Sequence, residues 1–163
     1  MCLVTKMIAP RRATRDIVCY KVLEKVIMRT PDTSSKKPSF KIDGFAYFTP
    51  SFRYQMEMGK QYDISYSFPL DAKKVNKLWQ RLQTPYHPKG MYPIGPGFFH
   101  ALTNKKEAER LNGMFGYTGN MLVSVECIIP AGTLYYISED KSEICAKSLK
   151  LIKIIGNESD QNS

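Results

Sequence analysis

Long apolar runs are missing from this chain of 163 residues. No uninterrupted hydrophobic stretch approaches the ~20 residues that a membrane-spanning helix requires, and this absence argues against a membrane protein. The opening segment MCLVTKMIAPRR has no apolar core of the length found in secretory signals, and its arginines follow the apolar residues instead of preceding them. We therefore expect a cytoplasmic protein with no membrane partner.

Histidine is scarce and cysteine is scattered, which argues against a zinc site. The two histidines, His87 and His100, lie near no cysteine in the sequence. The four cysteines form no close pair: Cys2, Cys19, Cys127 and Cys145. Zinc ligands normally come in closely spaced pairs, so we expect no bound metal. Without a secretory signal we also expect the thiols to be reduced.

The familiar motifs of nucleotide and hydrolase chemistry are absent as well. The chain contains neither the glycine-rich phosphate loop that ends in Gly-Lys-Ser/Thr nor the G-x-S-x-G turn of serine hydrolases. One nucleophile is available by position, because removal of Met1 would place the Cys2 thiol next to a free α-amine, as in N-terminal nucleophile hydrolases. No companion motif accompanies Cys2, and no cofactor is expected from the motifs.

Positive charge is abundant and concentrated at the start. The net charge is +9, and residues 1–40 hold nine Lys and Arg against three Asp and Glu. We predict a basic N-terminal arm over residues 1–16, in which Arg11, Arg12 and Arg15 have two interpretations. They either contact a polyanion such as nucleic acid or form a solvated segment.

Apolar alternation predicts several strands. Residues 17–28 read as a long central strand that ends at the polar loop TPDTSSKKPS. The next strand places its apolar side chains on one alternating face and has a bulge or close approach at Gly44; the side chains are Phe40, Ile42, Ala46 and Phe48. Further strands are predicted at residues 62–68, 98–102, 121–129, 133–137 and 148–155.

Two amphipathic helices are predicted between these strands. The first follows Asp71 and has Val75, Leu78, Trp79 and Leu82 at helical spacing. The second begins at Asn104, with Glu107 at the capping-box position. Its apolar residues Ala108, Leu111 and Phe115 lie on one face. We predict a single α+β domain over residues 17–155, with a mostly antiparallel twisted sheet and two short helices, followed by a disordered tail at residues 156–163.

His100 is the polar residue with the most defined local context. Strand alternation places it on one face with Phe98 and Leu102, next to the loop MYPIGPG. Two interpretations follow: a buried histidine bonded within the core, or a histidine at the edge of a cleft formed by that loop.

Several segments resemble one group of proteins. The start MCLVT, the run DIVCYKVLE, the segment GFFHALTNKKEA and the later ECIIPAGTLYY are similar, in the same order, to segments of small uncharacterised proteins from gut Bacteroides and their phages. This resemblance covers most of the chain and implies no activity.

The same segments resemble, more loosely, the ADP-ribosyltransferase fold, in which such strands line a cleft for NAD. That resemblance implies that Tyr20, Phe98, His100 and Thr103 approach the dinucleotide. Proteins of that family commonly use a glutamate late in the chain to hold the nicotinamide ribose. The nearest candidates here are Glu126 and Glu143, and Glu143 follows the loop SEDK.

These observations assign no activity to the chain. The interpretation we adopt is a cytoplasmic binding or interaction module with a protein or polyanion partner. The first alternative is an ADP-ribosyltransferase-like protein that uses NAD, with His100 and Glu143 as catalytic candidates. The second is a nucleic-acid-associated protein that binds through Arg11, Arg12 and Arg15.

Overall fold

The computed structural model describes residues 3–5, 7, 9–34, 36–37, 39–50, 53–64, 92–94 and 97–156. In this part of the chain the backbone forms twelve strands and one helix, α1 (Lys105–Arg110). The strands are β1 (Leu3–Thr5), β2 (Arg11–Arg12), β3 (Ile17–Asp32), β4 (Ser39–Phe48), β5 (Gln55–Met56), β6 (Gln61–Asp63), β7 (Tyr92–Ile94), β8 (Phe99–Leu102), β9 (Met121–Ile129), β10 (Leu134–Ile137), β11 (Glu143–Ala146) and β12 (Ser148–Ile155).

Ten strands form one antiparallel sheet that curls into a half-barrel. Its main order is β2-β10-β11-β8-β3-β9-β12-β6, and β4 pairs with β3 and β5 beside this path. A separate pair consists of β1 and β7. The central strand β3 is paired with β9 over nine consecutive residues, from Ile17 to Lys25.

The inner face of the half-barrel holds the main core. Alternate residues of a strand point to the same face, and Cys19 and Leu23 of β3 accordingly pack with Val125 and Cys127 of β9. These four side chains are almost completely buried. The rest of this cluster comes from β9 and four further strands: Val123, Ile129, Met56, Ala101, Ile144, Ala146, Leu149 and Leu151.

Part of the outer face of the sheet, around Leu102 and Ile155, is covered by α1. The Asn104 side chain caps this helix by accepting hydrogen bonds from the backbone N–H groups of Lys106 and Glu107, which confirms the predicted N-terminus. Ala108 is fully buried against Leu102 and Ile155. The helix is only six residues long, because the chain turns at residues 111–113 and leaves Phe115 exposed rather than on the helix.

The second half of β3 leaves the half-barrel as a two-stranded ribbon with β4. We call residues 26–32 and 39–46 the ribbon; they pair with each other from Val26–Ala46 to Asp32–Ser39. Only the β3–β4 ladder holds this part of β3, since β9 pairs no further than Lys25. The segment TPDTSSKKPS, predicted as a loop from its first residue, therefore begins and ends inside these strands.

A β-bulge in the ribbon corrects the predicted alternation of β4. The partner of Met28 is Gly44 and the partner of Arg29 is Ile42, which leaves Asp43 as the extra residue. Gly44 has φ +144, and a Cβ built there would have no neighbour within 4 Å. The glycine therefore provides the backbone conformation of the bulge, and no other part of the chain packs closely against it. Past the bulge the faces exchange. Phe40 and Ile42 therefore share a face with Phe45 and Tyr47, and not with Ala46 and Phe48.

The predicted α+β class with two helices is wrong. Strands make up 56% of the described residues and helix only 5%, so the fold is mostly β. Its antiparallel character is confirmed. The difference arises because segments with no strand pattern of their own, such as Glu143–Ala146, become strands by pairing with neighbours. The predicted helix after Asp71, including Trp79, lies outside the described residues.

No helix in the described part of the chain is long and apolar enough to cross a membrane. The last described residue is Gly156, so the predicted tail lies almost entirely beyond the description.

Matched truncations on β3 test the boundary between the core and the ribbon. We expect Leu23→Ala, at a fully buried position, to lower the free energy of unfolding by roughly 2–5 kcal/mol. We expect Ile27→Ala, four residues later and 44% exposed, to lower it by less than about 1 kcal/mol. Urea unfolding of both variants measures this, and equal losses would show that the ribbon belongs to the core.

Candidate functional site

Four sequence-predicted polar residues, Tyr20, His100, Glu126 and Glu143, lie on one face of four adjacent strands. Tyr20 on β3 is opposite Leu102 on β8, and Leu102 is opposite Glu143 on β11. His100 precedes Leu102 by two residues and points to the same face. The side chains of Tyr20, His100 and Glu143 are half-buried there. Diagonal neighbours on paired strands are ~7–8 Å apart, so Tyr20 and His100 lie within reach of a common small molecule.

The other residues implied by the transferase resemblance have contacts within the fold. Phe98 is buried and packs edge-to-face on Tyr136, with ring centroids 5.4 Å apart. The Thr103 hydroxyl donates to the carbonyl oxygens of Lys141 and Ser142, at 2.5 and 3.1 Å. Glu126, the other candidate glutamate, lies opposite Tyr20 on β9. Phe98 and Thr103 therefore support the strand that carries His100.

The sheet divides beside His100. On one edge of β3, strand β8 pairs only at Tyr20, and strand β4 pairs from Glu24 onward. Between these two residues the edge of β3 has neither strand as a partner, which leaves a gap between β8 and β4. In the gap, the Lys21 ammonium donates a hydrogen bond to the His100 carbonyl oxygen at 2.9 Å. Burial lowers the pKa of Lys21. Lys21 was not among the predicted site residues, although alternation already places it between the core residues Cys19 and Leu23.

The described cysteines have unreactive surroundings. Cys19 and Cys127 are directly opposite each other on β3 and β9, and Cys145 is opposite His100 on β11. All three are completely buried. Burial raises the pKa of Cys127 to about 12 and raises those of Cys19 and Cys145 as well, so these thiols stay protonated and are poor nucleophiles. Cys2 lies outside the described residues.

The predicted basic arm is partly built into the sheet edge. Arg11 and Arg12 form β2 and pair with β10. The Arg12 guanidinium donates to the Gly132 carbonyl oxygen at 2.6 Å. Arg15 follows in an exposed bend. The three arginines are exposed, and Arg11 differs from the other two because it lines a cleft.

That cleft has a volume of about 330 Å³ and lies between the N-terminal strands and the turn after β10. The turn, residues 138–142, is organised by Asp140, whose carboxylate accepts hydrogen bonds from the Ser138 hydroxyl and from both the hydroxyl and the N–H of Ser142. These bonds lower the pKa of Asp140 to about 2.

A buried carboxylate marks the base of the ribbon. Oε2 of Glu24 accepts hydrogen bonds from the Arg53 guanidinium at 3.0 Å, the Thr118 hydroxyl at 2.5 Å and the Asn120 amide at 3.4 Å. Oε1 has no hydrogen-bond partner within the described ranges. A Cβ at Gly116 would lie 2.7 Å from Oε1. Glu24 therefore holds two loops against β3, and the sequence offered no signal for contacts so distant along the chain.

The ribbon carries an exposed apolar face. Alternation on β3 and pairing to β4 place Ile27 with Phe45, Arg29 with Ile42 and Pro31 with Phe40 on the same side. The exposed fractions are 44% for Ile27, 49% for Phe45, 58% for Ile42 and 68% for Phe40. This side continues the inner face of the half-barrel beyond Leu23.

Cations surround this apolar face. The Lys25 ammonium lies 4.0 Å from the centre of the Phe45 ring. Residues 25–46 contain five basic and two acidic side chains, and those on the ribbon and its connecting loop are exposed, including Arg29, Lys36 and Lys41. Residues 25–46 thus carry a net charge of +3, which comes from Lys25 and the connecting loop, since the ribbon itself holds two basic and two acidic side chains.

The hydrogen bonds to Asp140 predict a pH-dependent stability. Because the pKa is lower in the folded chain than its ordinary value of 3.8, this carboxylate stabilises the fold above that value, and the contribution is lost as the pH falls towards about 2. We expect Asp140→Asn to melt at a lower temperature than the wild type at neutral pH, with a difference that shrinks over this acidic range. A difference that stays constant with pH would contradict the assignment.

Similarity to known proteins offers no independent guide to this site. Neither protein-family models nor curated proteins nor solved structures give a match to the chain. The described residues also contain no group of three His, Cys, Asp or Glu side chains placed to hold a metal ion. The ribbon, the His100 face and the cleft are the three candidate sites in the described part of the chain.

Proposed function

We propose that the protein is an interaction module whose ribbon binds an acidic protein partner with an apolar surface. The observation that carries the proposal is the apolar side of the ribbon, where Ile27, Phe40, Ile42 and Phe45 are all exposed. Contiguous exposed apolar surface with a polar rim is typical of protein–protein interaction sites.

The composition of this surface favours a protein over a nucleic acid. Ile27 and Ile42 are aliphatic and have no ring on which a base can stack, whereas proteins that bind single strands rely on aromatic stacking. Branched apolar and aromatic side chains at the centre, with charged residues outside, follow the anatomy of a protein interface.

The charge around the ribbon defines the chemistry of the partner. Lys25 and Arg29 lie on the apolar side itself, and Lys41 lies on the opposite side of β4. Opposite charges on a partner steer its approach and set its orientation. A second copy of this chain would bring equal positive charges together, so an acidic partner is the complementary one.

The partner is identified first by crosslinking. A photo-crosslinking amino acid is placed at Phe40 in the ribbon or at Phe115, which is an equally exposed phenylalanine outside it. We expect the Phe40 position to trap one acidic protein from cells of the source organism and the Phe115 position not to trap it. A protein trapped equally from both positions would oppose the proposal.

Binding is then measured with the purified partner. We expect Phe40→Asp to weaken the affinity at least about tenfold, as at an interface hot spot, and Phe115→Asp to leave it unchanged. Isothermal titration at increasing salt should show weaker binding as the charges are screened. Self-association through the ribbon, or binding of nucleic acid by the ribbon, would contradict the proposal.

A second candidate function is NAD-dependent ADP-ribosyl transfer. It is favoured by one observation, the common face of Tyr20, His100 and Glu143 next to the gap between β8 and β4. Burial raises the pKa of the Glu143 carboxyl, and perturbed carboxyls are frequent at catalytic sites.

Release of nicotinamide from NAD tests this candidate. We expect the wild type to release nicotinamide, Glu143→Gln to lose this activity and Glu57→Gln, altered at an exposed glutamate between β5 and β6, to retain it. Nicotinamide release that is absent from the wild type, or unaffected by Glu143→Gln, would reject the candidate.

A further inference from the structure

The ribbon leaves one edge of β3 unpaired in the described part of the chain. On that side β9 pairs with β3 as far as Lys25, whose partner is Met121, the first residue of β9. No described strand continues this ladder along residues 26–32. An unpaired strand edge presents backbone N–H and C=O groups to which another extended chain can bond.

Two hydrogen bonds of β9 show which backbone groups of β3 face this edge. The Leu122 N–H donates to the Met114 carbonyl oxygen at 2.7 Å, and the Leu122 carbonyl oxygen accepts from the Gly113 N–H at 3.0 Å. Leu122 therefore faces away from β3, so the neighbouring Met121 faces β3 and forms a hydrogen-bonded pair with Lys25. The backbone groups of Lys25 thus point towards β9.

The alternation continues past Lys25 because the extra residue of the bulge lies in β4 and not in β3. The N–H and C=O groups of Ile27 and Arg29 therefore point to the same side as those of Lys25, which is the open edge. Pro31 agrees with this direction, since a proline within a sheet stands where its missing N–H would face solvent.

Strand β4 gives an independent check on this direction. The Thr49 N–H donates to the Tyr54 carbonyl oxygen at 2.9 Å, so Thr49 faces β5 and the neighbouring Phe48 faces its partner Glu24 on β3. The even-numbered residues of β3 thus bond to β4 in the ribbon, and the odd-numbered residues face the open edge.

We infer that the acidic partner binds through an extended segment that adds a strand to this edge, antiparallel to β3 as β9 and β4 are. This inference rests on the proposed function of the ribbon and names the part of the partner that the ribbon contacts. An added strand gains affinity from main-chain hydrogen bonds and specificity from alternate side chains. Since Ile27 and Arg29 lie on the apolar side, the segment needs an apolar side chain opposite Ile27 and an acidic one, two residues away, opposite Arg29.

Two features select this edge and this occupant. The outer edge of β4 is interrupted by the bulge at Asp43, and bulges are a common means of blocking strand addition. The edge of β3 has no bulge, but it carries the positive charge of Arg29, which disfavours the matching edge of a second copy of this chain. An acidic segment has the complementary charge.

Titration with a blocked peptide of the sequence TETVTET tests the added strand. We expect the peptide to shift the amide resonances of Ile27 and Arg29 and to slow their hydrogen exchange, with smaller changes at Met28 and Thr30, which face β4. N-methylation of the valine should abolish binding because its N–H bonds to β3, whereas N-methylation of the threonine beside it, which faces away, should not. Binding that survives methylation of the valine, or an absence of shifts at Ile27 and Arg29, would overturn the inference.

Matched variants at one position separate the open edge from the charge. Arg29→Ala and Arg29→Pro both remove the guanidinium, but only proline also removes the N–H at the edge. We expect Arg29→Pro to bind the peptide at least about tenfold more weakly than Arg29→Ala, as for the loss of a hydrogen bond, and urea unfolding checks that both variants fold.

Equal affinity of the two Arg29 variants for the peptide would overturn the added strand. Phe40→Asp, altered on the apolar side of β4, distinguishes this failure from failure of the proposed function. If Phe40→Asp weakens binding while the two Arg29 variants are equal, the apolar side binds without an added strand and only the present inference falls.

Discussion

The pairing of β3 constrains the whole structure. Its sixteen residues span roughly 50 Å at ~3.3 Å per residue, whereas β9 pairs with only nine of them. From Ile17 to Lys25 it is held by β9, and its inner side chains fill the core. Beyond Lys25 the same strand has β4 as its partner, and the side that is buried at Leu23 is exposed to solvent at Ile27. The core and the proposed interaction surface are thus consecutive parts of one strand.

Glu24 stabilises the point where this change occurs. A buried carboxylate is costly unless charged and polar partners compensate it. Arg53 comes from the segment after β4, while Thr118 and Asn120 come from the loop before β9. Their hydrogen bonds fix both flanks of β3 at the base of the ribbon. The strand is therefore held in place where the ribbon begins, although the apolar side of the ribbon is exposed.

The sequence predicts the parts of this fold that rest on local patterns. Strand β3, strand β9 and the Asn104 cap follow from alternation and from side chains a few residues apart. Gly44 also predicts a bulge, but the glycine alone does not show which residue is the extra one. That extra residue, Asp43, exchanges the faces of the side chains on either side of it. Phe45 therefore joins Phe40 and Ile42, and the apolar side of the ribbon appears only when that exchange is known.

The remaining features depend on contacts that are distant along the chain. Glu143–Ala146 forms a strand because β8 and β10 lie on either side of it, and Glu24 meets Thr118 from 94 residues away. Lys21 and the cleft beside Arg11 also require the folded sheet. Of the predicted candidates, Tyr20, His100, Glu126 and Glu143 are brought to one face, whereas Arg11 belongs to a separate surface.

Hydrogen exchange along β3 tests the central claim most directly, because it compares two parts of one strand in the same protein. In the protein without a partner, the amides of residues 19–24 should exchange slowly and those of residues 27–32 and 40–45 much faster. Binding of the acidic partner should slow exchange in the ribbon and leave residues 19–24 unchanged. Equal protection of both parts in the unbound protein would contradict the account, since the ribbon would then already be covered by its own chain.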